Sequence, residues 1–186
     1  YGAFDPEWGG FGGAPKFPQA HLLSFVLEHA RRIEGGEQYI GMVENSLERM
    51  REGGIYDHIG FGFHRYATDR RWRVPHFEKM LYDQAQLVLL FVDACGLTGK
   101  AEYEKTAREI IEFCFRELRS PEGGFYSALD AESEGEEGKY YLWSRREFIR
   151  ILEELVGEDE AAAAADHFSL QTEGNWNDPV SGESMQ

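Results

Sequence analysis

The sequence predicts an all-α fold of repeated α-hairpins, with short β-ribbons in the loops. Two observations predict it. First, a Gly-Gly step followed by an aromatic or β-branched residue recurs at Gly9-Gly10-Phe11, Gly53-Gly54-Ile55-Tyr56 and Gly123-Gly124-Phe125-Tyr126. Each copy opens a polar, aromatic-rich loop that runs into a helix. Second, the helices alternate between apolar on much of their surface and apolar on one side, as inner and outer helices of a stack do. A unit that recurs in this way marks stacked repeats.

The first helix is expected over 18–34. Pro18 stands at its first position, and Leu22, Leu23, Val26, Leu27, Ala30 and Ile33 form its apolar stripe. The second, 37–52, carries Ile40, Val43, Leu47 and Met50 and stops at Gly53. The third, 75–97, opens on Pro75. Its run Leu87 to Val92 is apolar all round, so burial on all sides is expected. The fourth, 101–119, is one-sided, through Tyr103, Ala107, Ile110, Ile111, Cys114 and Leu118. Ser144-Arg-Arg-Glu147 is a capping box that opens a helix over 145–156. An alanine-rich helix follows at 158–167, since alanine has the least cost there.

Two ribbons are expected in the loops. One pairs Phe63–Tyr66 with Arg71–Val74; the other pairs Phe125–Leu129 with Lys139–Trp143. Residues 168–186 read as an irregular tail, in a single partial domain over 1–186.

Composition narrows the function classes. A hydrophobic fraction of 42% with 14% aromatics fits a packed core. The net charge of −15 argues against binding nucleic acid or anionic membranes. No apolar run approaches a membrane span, and no basic-then-apolar leader opens the chain, so a cytoplasmic protein is expected. Cys95 and Cys114 fall in helices and form no Cys-x-x-Cys motif, so both read as small buried hydrophobes.

Gly12-Gly-Ala-Pro-Lys-Phe-Pro18, Trp72-Arg-Val-Pro-His-Phe-Glu-Lys-Met-Leu-Tyr-Asp83 and the string from Gly124 to Gly138 go beyond pattern. They resemble the thioredoxin-domain-containing family that includes spermatogenesis-associated protein 20 and bacterial YyaL. The match runs through nearly the whole chain. That family is similar to N-acylglucosamine 2-epimerases and six-hairpin glycosidases. The resemblance therefore implies part, about half, of an (α/α)6 toroid. It also implies a longer polypeptide with a covalently attached thioredoxin-like domain. Half a ring would leave apolar faces open, so self-association, or cover from the rest of the polypeptide, is expected.

The middle loop is richest in chemistry. Read as helical, His76, Lys79, Asp83 and Gln86 share one polar stripe. A sugar there would stack on Tyr56, Phe61, Tyr66 or Trp72. It would hydrogen-bond to Asp57, Arg65, Asp83 or Asp130. Epimerisation needs an acid and a base on opposite faces of one carbon. His58, His64 and His76 are the candidates, with Arg65 on an enolate oxygen. Glycoside hydrolysis would instead draw a carboxylate pair from Asp57, Glu78, Asp83 and Asp130. The bland reading of the stripe is a satisfied buried network. Glu78 would then serve only the helix dipole, and Asp57 and His58 only the loop. No cofactor is expected. No metal is expected either: the three histidines match no short zinc motif, and the acidic loop 132–137 lacks EF-hand order.

The reading is therefore a carbohydrate-processing or sugar-binding domain, of epimerase or glycosidase type. The alternative is a non-catalytic scaffold that presents partners to the thioredoxin-like domain.

Overall fold

The fold is known from a computed structural model that describes residues 2–177 and 184–185. Helix α1 spans Ala20–Arg32, α2 Glu37–Glu52, α3 Leu81–Thr98, α4 Ala101–Phe113, α5 Arg145–Val156 and α6 Glu158–His167. The strands are two residues each: β1 Lys79–Met80, β2 Ala128–Leu129, β3 Glu132–Ser133, β4 Glu136–Glu137, β5 Trp176–Asn177 and β6 Ser184–Met185. The chain divides into two compact units at Ala131/Glu132.

The first unit is built on α1–α4. Leu23 and Leu27 of α1, Val43, Leu47 and Met50 of α2, Leu87, Leu90 and Phe91 of α3, and Tyr103, Ala107 and Ile110 of α4 make one core. Each sits at i, i+3, i+4 or i+7 spacing, so each helix turns a single stripe inward. Burying each large side chain contributes about 1.5–3 kcal/mol relative to exposure. Loop residues Ile55, Tyr56, Phe63 and Trp72 complete this core. Its loops are therefore packed structure.

Two helix starts differ from expectation, for one reason. Lys16 exchanges both backbone hydrogen bonds with Ala67, each 2.8 Å, which holds the chain extended before α1. Gln19 then takes a left-handed conformation (φ 46°), and the helix begins at Ala20. Likewise Pro75 opens no helix. Ala67 bridges to Pro75, the His76 N–H donates to the Tyr66 carbonyl at 3.0 Å, and β1 pairs with β2. Residues 75–80 gain backbone partners on two sides, so they stay extended.

Helix α3 is not buried all round. Leu87, Leu90, Phe91 and Ala94 face the core, whereas Leu89 and Val92 are 66% and 53% exposed. Helix α4 runs into a single π turn, Cys114–Leu118. Both cysteines are free and half-buried.

The expected ribbons pair differently. Tyr56 bridges Phe63, and Ala67 bridges both Lys16 and Pro75, so Phe63–Tyr66 does not pair with Arg71–Val74 as a hairpin. Ala128–Leu129 pairs antiparallel with Lys79–Met80 rather than with Lys139–Trp143.

The first two loops are copies, in a different register from the Gly-Gly steps. Phe4 bridges Phe11 as Tyr56 bridges Phe63. The Asp5 N–H donates to Gly10 (2.9 Å) as the Asp57 N–H donates to Gly62 (3.0 Å). Gly10 and Gly62 both have positive φ, 70° and 78°. The structural counterpart of Gly54-Ile55-Tyr56-Asp57 is therefore Gly2-Ala3-Phe4-Asp5, and Gly9-Gly10 closes the turn.

In the second unit, β3 and β4 form a tight hairpin through Glu134 and Gly135, both at positive φ. The Ser144 hydroxyl accepts from the Glu147 N–H at 3.2 Å, which caps α5 as the capping box requires. Helix α5 packs on α6 through Phe148 and Phe168, and Ala161 and Ala165 are buried. In the segment read as irregular tail, Trp176–Asn177 pairs with Ser184–Met185; residues 178–183 and 186 lie outside the described residues.

Candidate functional site

The extended segment 75–80 sorts its side chains by alternation. Pro75, Phe77 and Lys79 are buried, whereas His76, Glu78 and Met80 are half-buried. The neighbouring segment presents Arg65 and Tyr66 beside them. Across the two segments, Arg65 Nη1 donates to Glu78 Oε2 at 2.8 Å, and the Arg65 N–H donates to the Glu78 carbonyl at 2.8 Å. The Tyr66 ring stacks on His76, with centroids 4.7 Å apart and planes 12° apart. Phe17 packs on Tyr66 at a tilt, with centroids 4.8 Å apart and planes at 37°.

Asp83, in the first turn of α3, feels the charges of both Arg65 and Glu78. Burial pushes its carboxyl up from 3.8 to about 6; Arg65 opposes the rise and Glu78 adds to it. Asp83 Oδ2 is buried without a hydrogen-bond partner among the described residues. Tyr82, half exposed, lies by Arg65 and favours its charge. The result is one guanidinium, two carboxyl groups in unlike environments, and a stacked pair of rings. A carboxyl that titrates near neutrality can exchange protons, and a fixed guanidinium can hold an oxyanion.

The other sequence-selected residues lie elsewhere. Trp72 is 0% exposed; its indole N–H donates to the Trp8 carbonyl at 2.7 Å. It is core, and no ligand reaches its face. Tyr56 is 1% exposed and donates to Glu109 at 2.7 Å beneath the Arg51 guanidinium. Burial, then Glu109, pushes its phenol well up. Asp57 accepts from Lys79 Nζ at 2.7 Å and from the Gly60 and Ile59 N–H groups. Burial alone would raise its carboxyl; Lys79 and those amides hold it low. It braces the loop.

The histidines do not share one role. His58 is exposed; its Nδ1 lies 3.2 Å from Arg51 Nη1 and its Nε2 3.1 Å from the Gly53 carbonyl, so both ring nitrogens meet groups of its own loop and the preceding helix. His64 is 2% exposed, beside Phe77. Burial, with the Lys79 ammonium, pushes it down to about 3, so it is neutral at pH 7. His76 alone stands on the half-exposed face. The helical stripe of His76, Lys79, Asp83 and Gln86 does not form, because His76 and Lys79 precede α3. Glu78 is likewise outside any helix, and its partner is Arg65. Asp130 is exposed just past β2; extending the Lys79–Leu129 register by one residue sets it opposite Glu78.

Sequence reasoning named five members of this cluster: Arg65, Tyr66, His76, Glu78 and Asp83. It missed Phe17 and Tyr82, although Tyr82 adjoins Asp83. It also missed a buried network at the first loop. Asp5 accepts from Lys16 Nζ at 3.0 Å and from Arg70 Nε and Nη2 at 2.7 Å each. Among the described residues, no three His, Cys, Asp or Glu side chains group as metal ligands, and no helix is long and apolar enough to cross a membrane.

No family model matches the chain. Among curated proteins it is 42% identical over 188 residues to spermatogenesis-associated protein 20 of Mus musculus, covering 94% of this chain and 24% of that protein. The chain spans about a quarter of the length of the curated relatives it matches. Among solved structures it is similar to the cellobiose 2-epimerase of Bacillus thermoamylovorans B4167 (TM-score 0.60, 18% identity, 73% of this chain and 38% of that one). It is also similar to a sugar epimerase from a ruminal bacterium (TM-score 0.61, 15% identity, 89% and 48%). With those neighbours, the chain has the fold of part of an (α/α) toroid: α-hairpin repeats with short β-ladders in their loops.

Proposed function

We propose that this chain is a sugar-contacting part of a carbohydrate-processing toroid protein, of epimerase type. The observation that carries the reading is the Arg65–Glu78–Asp83 cluster beside the Tyr66–His76 stack. Ring faces suit the apolar face of a pyranose, and the charged groups suit its hydroxyls. The fold neighbours, sugar epimerases, support the class of ligand. The longer protein is taken to be cytoplasmic and to carry a thioredoxin-like domain.

Saturation-transfer NMR with glucose, mannose and cellobiose tests this on the chain and on the longer protein that contains it. Binding that weakens at least tenfold in Arg65→Ala and Tyr66→Ala is expected. No binding of any of the three sugars would sink the reading. One set of observations favours a non-catalytic scaffold instead: Tyr56, His64 and Trp72 are all consumed by packing. In that case, Arg65→Ala would change stability and no sugar signal.

A further inference from the structure

We propose that a helix from the part of the longer protein outside residues 1–186 packs along the solvent side of α3. Helix α3 carries two apolar stripes. Leu87, Leu90, Phe91 and Ala94 face the core. Tyr82, Ala85, Leu89, Val92 and Gly96 lie on the opposite side, and all of them are exposed. Their steps alternate between three and four residues, which is the seven-residue period of a helix–helix seam. The period runs nearly the length of the helix, Leu81–Thr98. Ala85 and Gly96 flank Leu89 and Val92 along this seam, and a Cβ added at Gly96 would meet open space. Small residues there let a partner backbone come close.

The neighbouring helices show what a water-facing side looks like in this chain. Helix α2 exposes Glu37, Arg49 and Glu52, and α4 exposes Glu102, Lys105 and Arg108. On α3 the exposed charge, Asp93, stands at the edge of the seam, 3.7 Å from Arg31 of α1. A helix that is apolar on both sides is covered on both sides. Helix α1 repeats the pattern, with Leu22 and Phe25 exposed opposite Leu23 and Leu27. The length of chain outside residues 1–186 names the occupant. The chain spans 24% of its mouse relative, and 38% and 48% of the two sugar epimerases that share its fold. A helix on the same polypeptide arrives at high effective concentration. A second copy fits less well, because each chain carries a net charge of −15 and two copies repel. Leu89 is therefore open to water in the chain by itself and covered in the longer protein. This stands whether or not the chain contacts a sugar.

Hydroxyl-radical footprinting of the longer protein, read by tandem mass spectrometry, tests this without any substitution. Leu89 and Leu90 are adjacent and of one residue type, so the buried Leu90 is the control for Leu89. Oxidation of Leu89 within about twofold of Leu90 is expected, since a packed helix shields both. Faster oxidation of Leu89 than that overturns the proposal. A photo-crosslinking benzoylphenylalanine in place of Val92 then identifies the occupant, with circular dichroism to establish folding. A link within one polypeptide, to a helix outside residues 1–186, is expected. A link to a second copy, to another protein or to residues 1–186 overturns the proposal, and so does the absence of any link.

Discussion

Asp57 Oδ2 lies 2.7 Å from Lys79 Nζ, and the same pair occurs one repeat earlier, where Asp5 Oδ2 lies 3.0 Å from Lys16 Nζ. Both lysines are at most 1% exposed. Each ammonium also donates to a loop carbonyl, Phe61 for Lys79 and Arg70 for Lys16. The first residues after each aspartate are held by its other oxygen, Oδ1. One buried ion pair therefore closes each loop just ahead of an inner helix.

Removing one partner of such a pair strands a charge in the core. Lys79→Met should cost about 3–5 kcal/mol in urea unfolding. Asp57→Asn with Lys79→Met should cost clearly less than the two single losses added. Additive losses would show that the pair is not coupled.

Asp5 sets an acid limit on stability. Burial works against its charge, but Arg70, the Trp8 amide and Lys16 overcome it and hold the carboxyl well below 3.8. A folded value below the unfolded one gives stability that is present above about 4 and lost as pH falls toward the folded value. Asp5→Asn should flatten the fall of Tm below pH 4. An unchanged acid limb would contradict this.

Asp83 acts in the opposite sense. Its folded value is about 6 against an ordinary 3.8. Between these, the folded chain keeps a proton that the unfolded chain has lost, so stability falls as pH rises from about 4 to 6 and then levels. Asp83→Asn removes that loss. With solvent screening, it should be more stable than the wild type by about 1 kcal/mol at pH 7.5 and equal near pH 4. Thermal melts across that range read the difference.

Leu89 and Leu90 are adjacent and opposite: one is 66% exposed, the other 0%. Leu90→Ala should cost about 2–5 kcal/mol, whereas Leu89→Ala should stay within about 0.5 kcal/mol. Equal costs would mean that something covers the Leu89 face in solution.

Much of this was legible in the sequence. The spacing of Val43, Leu47 and Met50 gave α2 its bounds, and Ser144 with Glu147 gave α5 its start. Helix periodicity is local, so a single chain displays it. The Gly-Gly repeat marked the loops but misplaced the first copy, because Gly9-Gly10 looks like Gly53-Gly54 in composition and differs in place within the turn.

Sequence by itself determined the all-α class, the α-hairpin order and the residue types of the middle loop. Tertiary structure alone decided which of those residues enter the core and which stay half-exposed. Tyr56 and Trp72 carry the composition of a sugar platform, yet the core takes both, because burying a large ring outweighs leaving it in water. Residues 75–80 read as helix from Pro75 onward, yet they stay extended because Ala67, Tyr66 and Ala128–Leu129 supply backbone partners from distant parts of the chain. That choice of an extended segment over a helix places Glu78 against Arg65 and His76 against Tyr66.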